Sequence, residues 1–203
     1  MRIAIIKYNA GNIRSVLFAL ERIGYPAMVT DKPDEIRNAD KVIFPGVGEA
    51  RTAMNYLKNK KLDKLICSLN QPVLGICLGM QLLCRHSEEN DTTCLGIFKE
   101  KVKMFSPELS VNRQGVRLLK VPQIGWNNIY DLKNDLFKNV NEESYCYFVH
   151  SYFAETGAHS IATTNYIKPF SSALTKNNFY GVQFHPEKSA KTGEHILKNF
   201  INL

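Results

Sequence analysis

Residues 72–80 read Pro-Val-Leu-Gly-Ile-Cys-Leu-Gly-Met, and this stretch decides the fold. Its first five residues form a short apolar run, which is typical of a buried strand. The residues from Leu78 to His86 then have the composition of a helix. Buried strands that pass directly into helices are typical of parallel sheets, because the helices carry the chain back across the sheet. The stretch therefore predicts an α/β fold.

The whole N-terminal half alternates between strands and helices. Gly24 ends the first predicted helix, and the second helix breaks near Lys60. The alternation predicts a doubly wound, mostly parallel sheet. Strands are predicted at Arg2–Ile6, Met28–Val29, Lys41–Phe44 and Pro72–Ile76, and helices at Asn12–Ile23, Ala50–Asn70 and Leu78–His86.

The C-terminal half has short apolar runs separated by turns, and it predicts added mixed or antiparallel strands. Asn177-Asn178 lies between the last two runs and predicts a hairpin turn. A closing helix is expected over Ala190–Ile201, and residues 1–203 are expected to form a single domain. The strands are predicted near residues 97–105, 117–121, 145–149, 160–164, 171–176 and 179–183.

The composition and charge exclude several classes of protein. No apolar stretch approaches the roughly 20 residues of a membrane helix, and the N-terminus does not resemble a signal peptide, so a cytoplasmic location is expected. The five cysteines lack metal-ligand spacing, so we expect no metal, no cofactor and no disulfide framework. The net charge of +7 is scattered, which argues against nucleic acid. It fits a solvated basic surface, or attraction to a phosphorylated substrate or an acidic partner.

Cys77 is the one cysteine with unusual neighbours, because Gly75 and Gly79 flank it at −2 and +2. This is the sulfur form of the nucleophile elbow, a turn too sharp for larger side chains at those positions. The following helix N-terminus favours the thiolate, and the amide of Leu78 points to where an oxyanion would form. The elbow alone leaves open a buried structural cysteine.

His185 is the candidate base for that thiol. It follows the predicted strand Gly181–Phe184, and Glu187 lies two residues later, where a carboxylate could orient the imidazole. Alone, His185-Pro186-Glu187 is more typical of a strand-end histidine beside an exposed glutamate. Together with the elbow at Cys77, it predicts a Cys–His–Glu triad.

The two segments Gly75–Gln81 and Gln183–Glu187 closely resemble the motifs of class I (triad) glutamine amidotransferases. The resemblance covers nearly the whole chain. Within the family, the chain is similar to the glutaminase subunits of imidazole glycerol phosphate synthases. The stretches that narrow the resemblance are Gly11–Ser15, Pro45–Gly48, Gly125–Asn127, Phe148–Tyr152 and His185–Ser189.

The resemblance implies a mechanism for glutamine hydrolysis. Cys77 attacks the carboxamide of glutamine, His185 protonates the departing ammonia and later activates water, and Glu187 orients His185. The loop 45–48 supplies a second oxyanion donor, and we hypothesise that a peptide flip there switches the glutaminase on when a partner is loaded with substrate. The implied oxyanion donors are the amides of Leu78 and of Val47 or Gly48.

The resemblance also implies a glutamine pocket. Gln81 lies one helical turn after Cys77, and Glu89 matches an acidic position that binds the α-ammonium. From the residues alone, Gln81 could be helix surface, Glu89 a solvated loop charge and His150 a core histidine. The implied substrate-binding residues are Gly46, Gln81, Glu89, His150, Ser151 and Tyr152.

A partner protein is implied because free ammonia would be protonated and lost in water. We expect a synthase (cyclase) subunit of barrel type, which forms a heterodimer with this chain and receives ammonia through a channel. The expected interface residues are Asn12, Trp126 and Lys188. Trp126 is the single tryptophan of the chain and could equally be a core residue.

The chain departs from the family pattern near the expected interface. The family more often has His and Met where Gln123 and Ile124 stand, and residues 7–10 replace an acidic, glycine-rich start. Histidine biosynthesis is the expected pathway, and amidination of a bacterial surface sugar is the alternative. Two other classes stay open at this point: a catalytically dead partner-binding module, and a cysteine peptidase or other hydrolase.

Overall fold

The computed structural model describes residues 1–9, 12–112 and 115–203. Its α-helices are α1 (Ile13–Arg22), α2 (Pro33–Arg37), α3 (Ala50–Asn59), α4 (Leu62–Cys67), α5 (Leu78–Leu83) and α6 (Ala190–Asn202). The strands of the first half are β1 (Ile3–Ile6), β2 (Ala27–Thr30), β3 (Lys41–Phe44), β4 (Val73–Ile76), β5 (His86–Ser87) and β6 (Thr92–Thr93).

The later strands are β7 (Lys101–Met104), β8 (Glu108–Asn112), β9 (Gly115–Leu119), β10 (Gln123–Asn128), β11 (Tyr145–His150), β12 (Tyr152–Ala154), β13 (Ser160–Asn165), β14 (Pro169–Lys176) and β15 (Phe179–Val182). Two short 3₁₀ turns cover Asp135–Phe137 and Pro186–Lys188.

The centre of the main sheet is parallel, as the sequence predicts. Its strands follow the order β2-β1-β3-β4-β15, and each neighbouring pair runs in the same direction. β15 comes from the far end of the chain and lies beside β4, with Gly181 opposite Gly75 and Val182 opposite Ile76. The carboxyl ends of β4 and β15 therefore meet at one edge of the sheet.

The predicted antiparallel addition is also confirmed. β14 runs antiparallel to β15, and the hairpin turn at Asn177-Asn178 joins Lys176 to its partner Phe179. Asn177 adopts a φ of 54°, a left-handed conformation that asparagine tolerates. The sheet continues from β14 through β12, β7, β5 and β6, while β13 pairs with β14 beside this path. The pairs β10–β11 and β8–β9 form two separate ribbons.

Two apolar layers cover the two faces of the sheet. Side chains alternate along β1, so that Ala4 and Ile6 join one buried cluster while Ile3 and Ile5 join the other. The first cluster contains the apolar faces of α3, α4 and α5, and the second contains those of α1 and α6. The fold is therefore doubly wound, as predicted.

Several elements differ from the sequence-based prediction. The helix after Cys77 ends at Leu83 rather than His86, because the chain turns away to pair as β5 with β7. The helix predicted over 50–70 is two helices, with the expected break at Lys60 and Lys61. The predicted strand near 97–105 begins only at Lys101. The elements that the sequence did not predict are α2, β5, β6, β8, β10 and β12.

None of the helices in the described part of the chain is long and apolar enough to cross a membrane.

Gly79 lies where α5 packs against the end of β3, and it leaves no space for a side chain. A Cβ at this position would lie 1.9 Å from the carbonyl oxygen of Phe44. At Gly75, a Cβ would lie 2.8 Å from the backbone of Gly79 and from Leu83 Cδ1. These two glycines let the helix begin directly at the end of the strand.

We expect Gly79→Ala to lower the free energy of unfolding by about 3 kcal/mol, because the new methyl group meets a backbone oxygen that cannot move aside. Chemical denaturation followed by circular dichroism measures this loss. Gly96→Ala is the matched control: its φ is +73° with open space around it, so only backbone strain of about 1 kcal/mol is expected. Equal losses in the two variants would contradict the steric explanation.

Candidate active site

Cys77 occupies a sharp turn between β4 and α5. Its φ of 53° and ψ of −109° lie outside the regions that non-glycine residues ordinarily adopt, a strain of about 1–3 kcal/mol that surrounding structure must hold. The backbone N–H of Cys77 donates to Val182 O at 2.8 Å, which ties the turn to β15. The turn places the thiol at the carboxyl edge of the sheet.

His185 and Glu187 come to the same edge because β15 lies next to β4. His185 Nδ1 donates to Glu187 Oε1 at 2.8 Å, and both side chains are almost completely buried. The backbone holds the imidazole as well: His185 N donates to Tyr147 O at 2.9 Å, and Ser189 Oγ donates to His185 O at 2.7 Å. The structure thus brings together the three residues of the predicted triad.

The environment of His185 favours the imidazolium form. Burial opposes the charge, but the facing Cys77 sulfur and the Glu187 carboxylate outweigh it and raise the pKa of His185 to about 10. Because Nδ1 donates to Glu187, Nε2 is the ring atom left for proton transfer. Within the described residues, Nε2 has no hydrogen-bond partner. A thiol beside an imidazole that can take up and return a proton is the arrangement that acyl transfer requires.

Asn12 lies beside the triad. Its side-chain Nδ2 donates a short hydrogen bond to Glu187 Oε1. The same oxygen accepts the hydrogen bond from His185 Nδ1. Asn12 is half-buried at the start of α1, in a left-handed conformation with a φ of 69°. The sequence predicted Asn12 as an interface residue only, and its contact with the triad was missed.

A cavity of about 220 Å³ opens beside Cys77. Its lining includes every described residue predicted for the oxyanion hole and for substrate binding except Gly46. The lining residues are Val47, Gly48, Cys77, Leu78, Gln81, Glu89, Val149, His150, Ser151 and Tyr152.

Gln81 is buried on the cavity wall, so the alternative that it is helix surface is wrong. Its Nε2 donates to Tyr152 O at 2.8 Å and to Gln183 Oε1 at 2.9 Å. Glu89 is half-buried, and its Oε2 accepts from Ala50 N at 2.8 Å. Burial raises the pKa of Glu89, since the carboxylate is partly withdrawn from water. It is therefore not a freely solvated charge.

His150 packs in the aromatic core and also lines the cavity. Its ring contacts Phe105, Phe148 and Phe170, and its Nδ1 donates to Tyr152 O at 2.7 Å. Burial lowers the pKa of His150 to about 4, so the imidazole is neutral near pH 7. Its Nε2 is a buried acceptor without a partner in the described part of the protein.

The predicted oxyanion donor Leu78 is engaged by the loop 45–48. Its N–H donates to Gly46 O at 3.3 Å, so in this structure a loop carbonyl occupies the amide that was predicted to bind an oxyanion. Tyr8 holds the preceding residue, since its hydroxyl donates to Pro45 O at 2.6 Å. Gly48 has a φ of +131°, which L side chains rarely adopt.

The ribbon β10–β11 presents an aromatic face next to the triad. Trp126 is 52% exposed, so the alternative of a core tryptophan is wrong. Its ring contacts Tyr147 edge-on at 6.0 Å, and Lys188 Nζ lies 5.8 Å from the centre of the same Tyr147 ring. Ile124 is also exposed on this face. Trp126 and Lys188, both predicted as interface residues, therefore border one surface.

Gln183 is a site residue that the sequence analysis missed. It is completely buried two residues before His185, and its Nε2 donates to Cys77 Sγ at 3.7 Å. The signal in the sequence was a polar residue inside the apolar run Gly181–Phe184. Polar groups that are fully buried generally have a hydrogen-bond partner, and here the partner is the Cys77 sulfur.

Comparison with known proteins gives the family. The chain is 55% identical to the imidazole glycerol phosphate synthase subunit HisH of Bacteroides fragilis, over 100% of both chains. It is 45% identical to the subunit of that name from Haemophilus influenzae, over 99% of this chain and 97% of the relative.

A solved structure described as a glutamine amidotransferase superposes with a TM-score of 0.68. The match covers 98% of this chain and 97% of that one at 16% identity, and so supports the fold alone. The family model described as "Glutamine amidotransferase class-I" matches residues 5–203. The chain belongs to the class I glutamine amidotransferase family.

Proposed function

We propose that this chain is the glutaminase subunit of an imidazole glycerol phosphate synthase, acting in histidine biosynthesis as one cytoplasmic domain over residues 1–203. The observation that carries the proposal is the buried imidazole of His185, which lies between the Cys77 thiol and the Glu187 carboxylate. The full-length relatives named as synthase subunits support the histidine pathway over amidination of a surface sugar. The complete triad counts against a dead binding module.

Each step of hydrolysis has a group in the site. The Cys77 thiolate attacks the carboxamide carbon of glutamine, and the carbonyl oxygen becomes an oxyanion. The His185 imidazolium gives its Nε2 proton to the departing nitrogen, which leaves as ammonia and breaks the C–N bond. Neutral His185 then takes a proton from water, and the resulting hydroxide attacks the thioester. Glutamate leaves, and the thiolate–imidazolium pair is restored.

The cavity offers groups for the rest of the substrate. The Glu89 carboxylate on its wall suits the α-ammonium of glutamine, because the opposite charges meet in a partly desolvated site. We assign the positioning of the glutamine backbone to the segment 150–152, which lines the same cavity as Glu89. Gln81 and Gly46 shape the wall that surrounds the reacting carboxamide.

The bond between Leu78 N and Gly46 O points to a resting state of the site. A flip of the Gly46–Val47 peptide would remove that carbonyl, free the Leu78 N–H and aim the Val47 N–H at the oxyanion. Removing one such donor in other enzymes lowers the turnover rate by about a hundredfold to a thousandfold. We infer that the flip accompanies binding of a substrate-loaded synthase subunit.

The aromatic face of β10–β11 is our proposed docking surface for the synthase partner, which we expect to be a barrel that forms a heterodimer with this chain and receives ammonia through a channel. Trp126 supplies a large exposed anchor of the type that dominates interfaces, and Lys188 adds a charge beside it. Asn12 is the third proposed interface residue, and its side chain donates a hydrogen bond to Glu187 of the proposed triad.

Reconstitution tests the proposed function. With glutamine and a cyclase partner, we expect the chain to yield imidazole glycerol phosphate and aminoimidazole carboxamide ribotide, with one glutamate per product. Cys77→Ser should abolish the glutamine-dependent product while ammonium salts still support its formation. Product formation only with a sugar-directed synthase would support the surface-sugar alternative, and an absence of glutamine hydrolysis with either partner would support the dead module.

The role of Glu187 predicts a shift in pH dependence. Glu187→Gln removes the carboxylate that helps to hold the pKa of His185 near 10, so imidazolium is lost at lower pH and the alkaline limb of the pH–rate profile moves down. We expect glutaminase turnover at neutral pH to fall on the order of ten-thousandfold, as for other triad carboxylates. Glu194→Gln, which breaks a surface pair with Arg22, should leave both unchanged. An unmoved alkaline limb in Glu187→Gln would refute this role.

The flip predicts coupling between partner loading and hydrolysis. Adding the loaded synthase subunit should raise the rate of glutamine hydrolysis at least tenfold, which corresponds to lowering the activation free energy by about 1.4 kcal/mol. Gly48→Ala should reduce that stimulation, because the loop loses a positive-φ position. Gly24→Ala, at another open positive-φ glycine, should retain it. Equal rates with loaded and unloaded partner would rule out the switch.

A further inference from the structure

A chain of buried amide hydrogen bonds runs from the substrate cavity to the sulfur of Cys77. It begins at the carbonyl oxygen of Tyr152, passes through the side chains of Gln81 and Gln183, and ends at Cys77 Sγ. The successive distances are 2.8, 2.9 and 3.7 Å. Both glutamine side chains are buried: Gln81 is 4% exposed and Gln183 is completely inaccessible to solvent.

The direction of this chain is fixed by its first member. A backbone carbonyl can only accept, so Gln81 must present its NH₂ group to Tyr152 O. The second hydrogen of that NH₂ group requires an acceptor, which makes Gln183 present its Oε1 to Gln81. The remaining end of the Gln183 amide, its NH₂ group, therefore faces Cys77 Sγ. Rotating the Gln183 amide would bring two NH₂ groups together and place an acceptor oxygen against the sulfur.

We propose that Gln183 is a positioning residue that donates a hydrogen bond to the Cys77 thiolate, with Gln81 and the Tyr152 carbonyl holding its amide in the donating orientation. The inference deepens, and rests on, the proposed glutaminase function. A donor facing the sulfur favours thiolate over thiol, because hydrogen bonding to the charged form of a group stabilises that form. Gln183 lies outside the cavity lining, so it acts through Cys77 rather than on glutamine.

The same series of hydrogen bonds links the cavity wall to the Cys77 sulfur. Gln81 and Tyr152 both line the cavity, and Tyr152 O also accepts from His150 Nδ1. A displacement of this wall would release the Gln183 amide from its orientation. The thiolate is therefore held from two directions, by His185 on one side and by an oriented amide on the other.

The test is the pH dependence of Cys77 alkylation by iodoacetamide in the full chain, read on the Cys77 peptide by mass spectrometry, because Cys67 is exposed and also reacts. Gln183→Met keeps the length of the side chain and removes the donor. We expect its alkylation midpoint to rise by about one pH unit, a roughly tenfold slower reaction on the acid side. Turnover on glutamine should fall about as much, with KM nearly unchanged because Gln183 does not touch the substrate.

Ser172→Ala is the matched control, since Ser172 is buried beside Gln183, its backbone oxygen accepts from Gln183 N, and its hydroxyl has no partner among the described residues. Its midpoint should equal that of the wild type. If Gln183→Met does not fold, Gln81→Met serves, because it frees the Gln183 amide to rotate and should also raise the midpoint. An unmoved midpoint in a folded Gln183 or Gln81 variant, or an equal rise in Ser172→Ala, overturns the inference.

Different results would overturn the proposed glutaminase function and the proposed role of Gln183. A wild-type chain that hydrolyses no glutamine even with its partner would remove the proposed function. A wild-type chain that is active, together with a Gln183→Met chain whose alkylation profile is unchanged, would remove only the role of Gln183.

Discussion

The close approach of Gly79 to the carbonyl oxygen of Phe44 is the constraint on which the site depends. Only a residue without a Cβ lets α5 begin directly at the end of β4, and that junction forces Cys77 into its strained turn. The strain is held by the sheet, since Cys77 N–H is bonded to β15. The same pairing of β15 with β4 carries His185 to the thiol. One steric contact and one strand pairing thus determine where Cys77 and His185 meet.

The chemistry then follows from burial. His185 and Glu187 are almost fully withdrawn from water, so each charge must be matched by a neighbour. The Glu187 carboxylate receives hydrogen bonds from His185 and Asn12, while the Cys77 sulfur faces His185 and the Gln183 amide. His150 lies nearby in an aromatic surrounding and stays neutral, which avoids a second positive charge beside His185. Each buried charge of the site therefore has a neighbouring group that stabilises it.

The sequence was sufficient for the strand–helix alternation and for the triad candidates, because both are encoded locally. Gly75 and Gly79 mark the elbow, and a polar residue after an apolar strand marks His185. Features that depend on residues distant along the chain could not be predicted from the sequence. β5 has two residues and exists only through pairing with β7, and the exposure of Trp126 depends on which face of β10 is covered. The contacts of Asn12 and Gln183 join residues more than a hundred positions apart.

The late position of β15 has a consequence for the newly made protein. Cys77 and Gln183 are 106 positions apart, and the ribosome makes the cysteine first. Until the segment through Glu187 has been synthesised and β15 has paired with β4, the thiol has neither its base nor its oriented amide. A growing or prematurely ended chain thus carries an ordinary cysteine and wastes no glutamine. Topology makes completion of the chain a condition for reactivity.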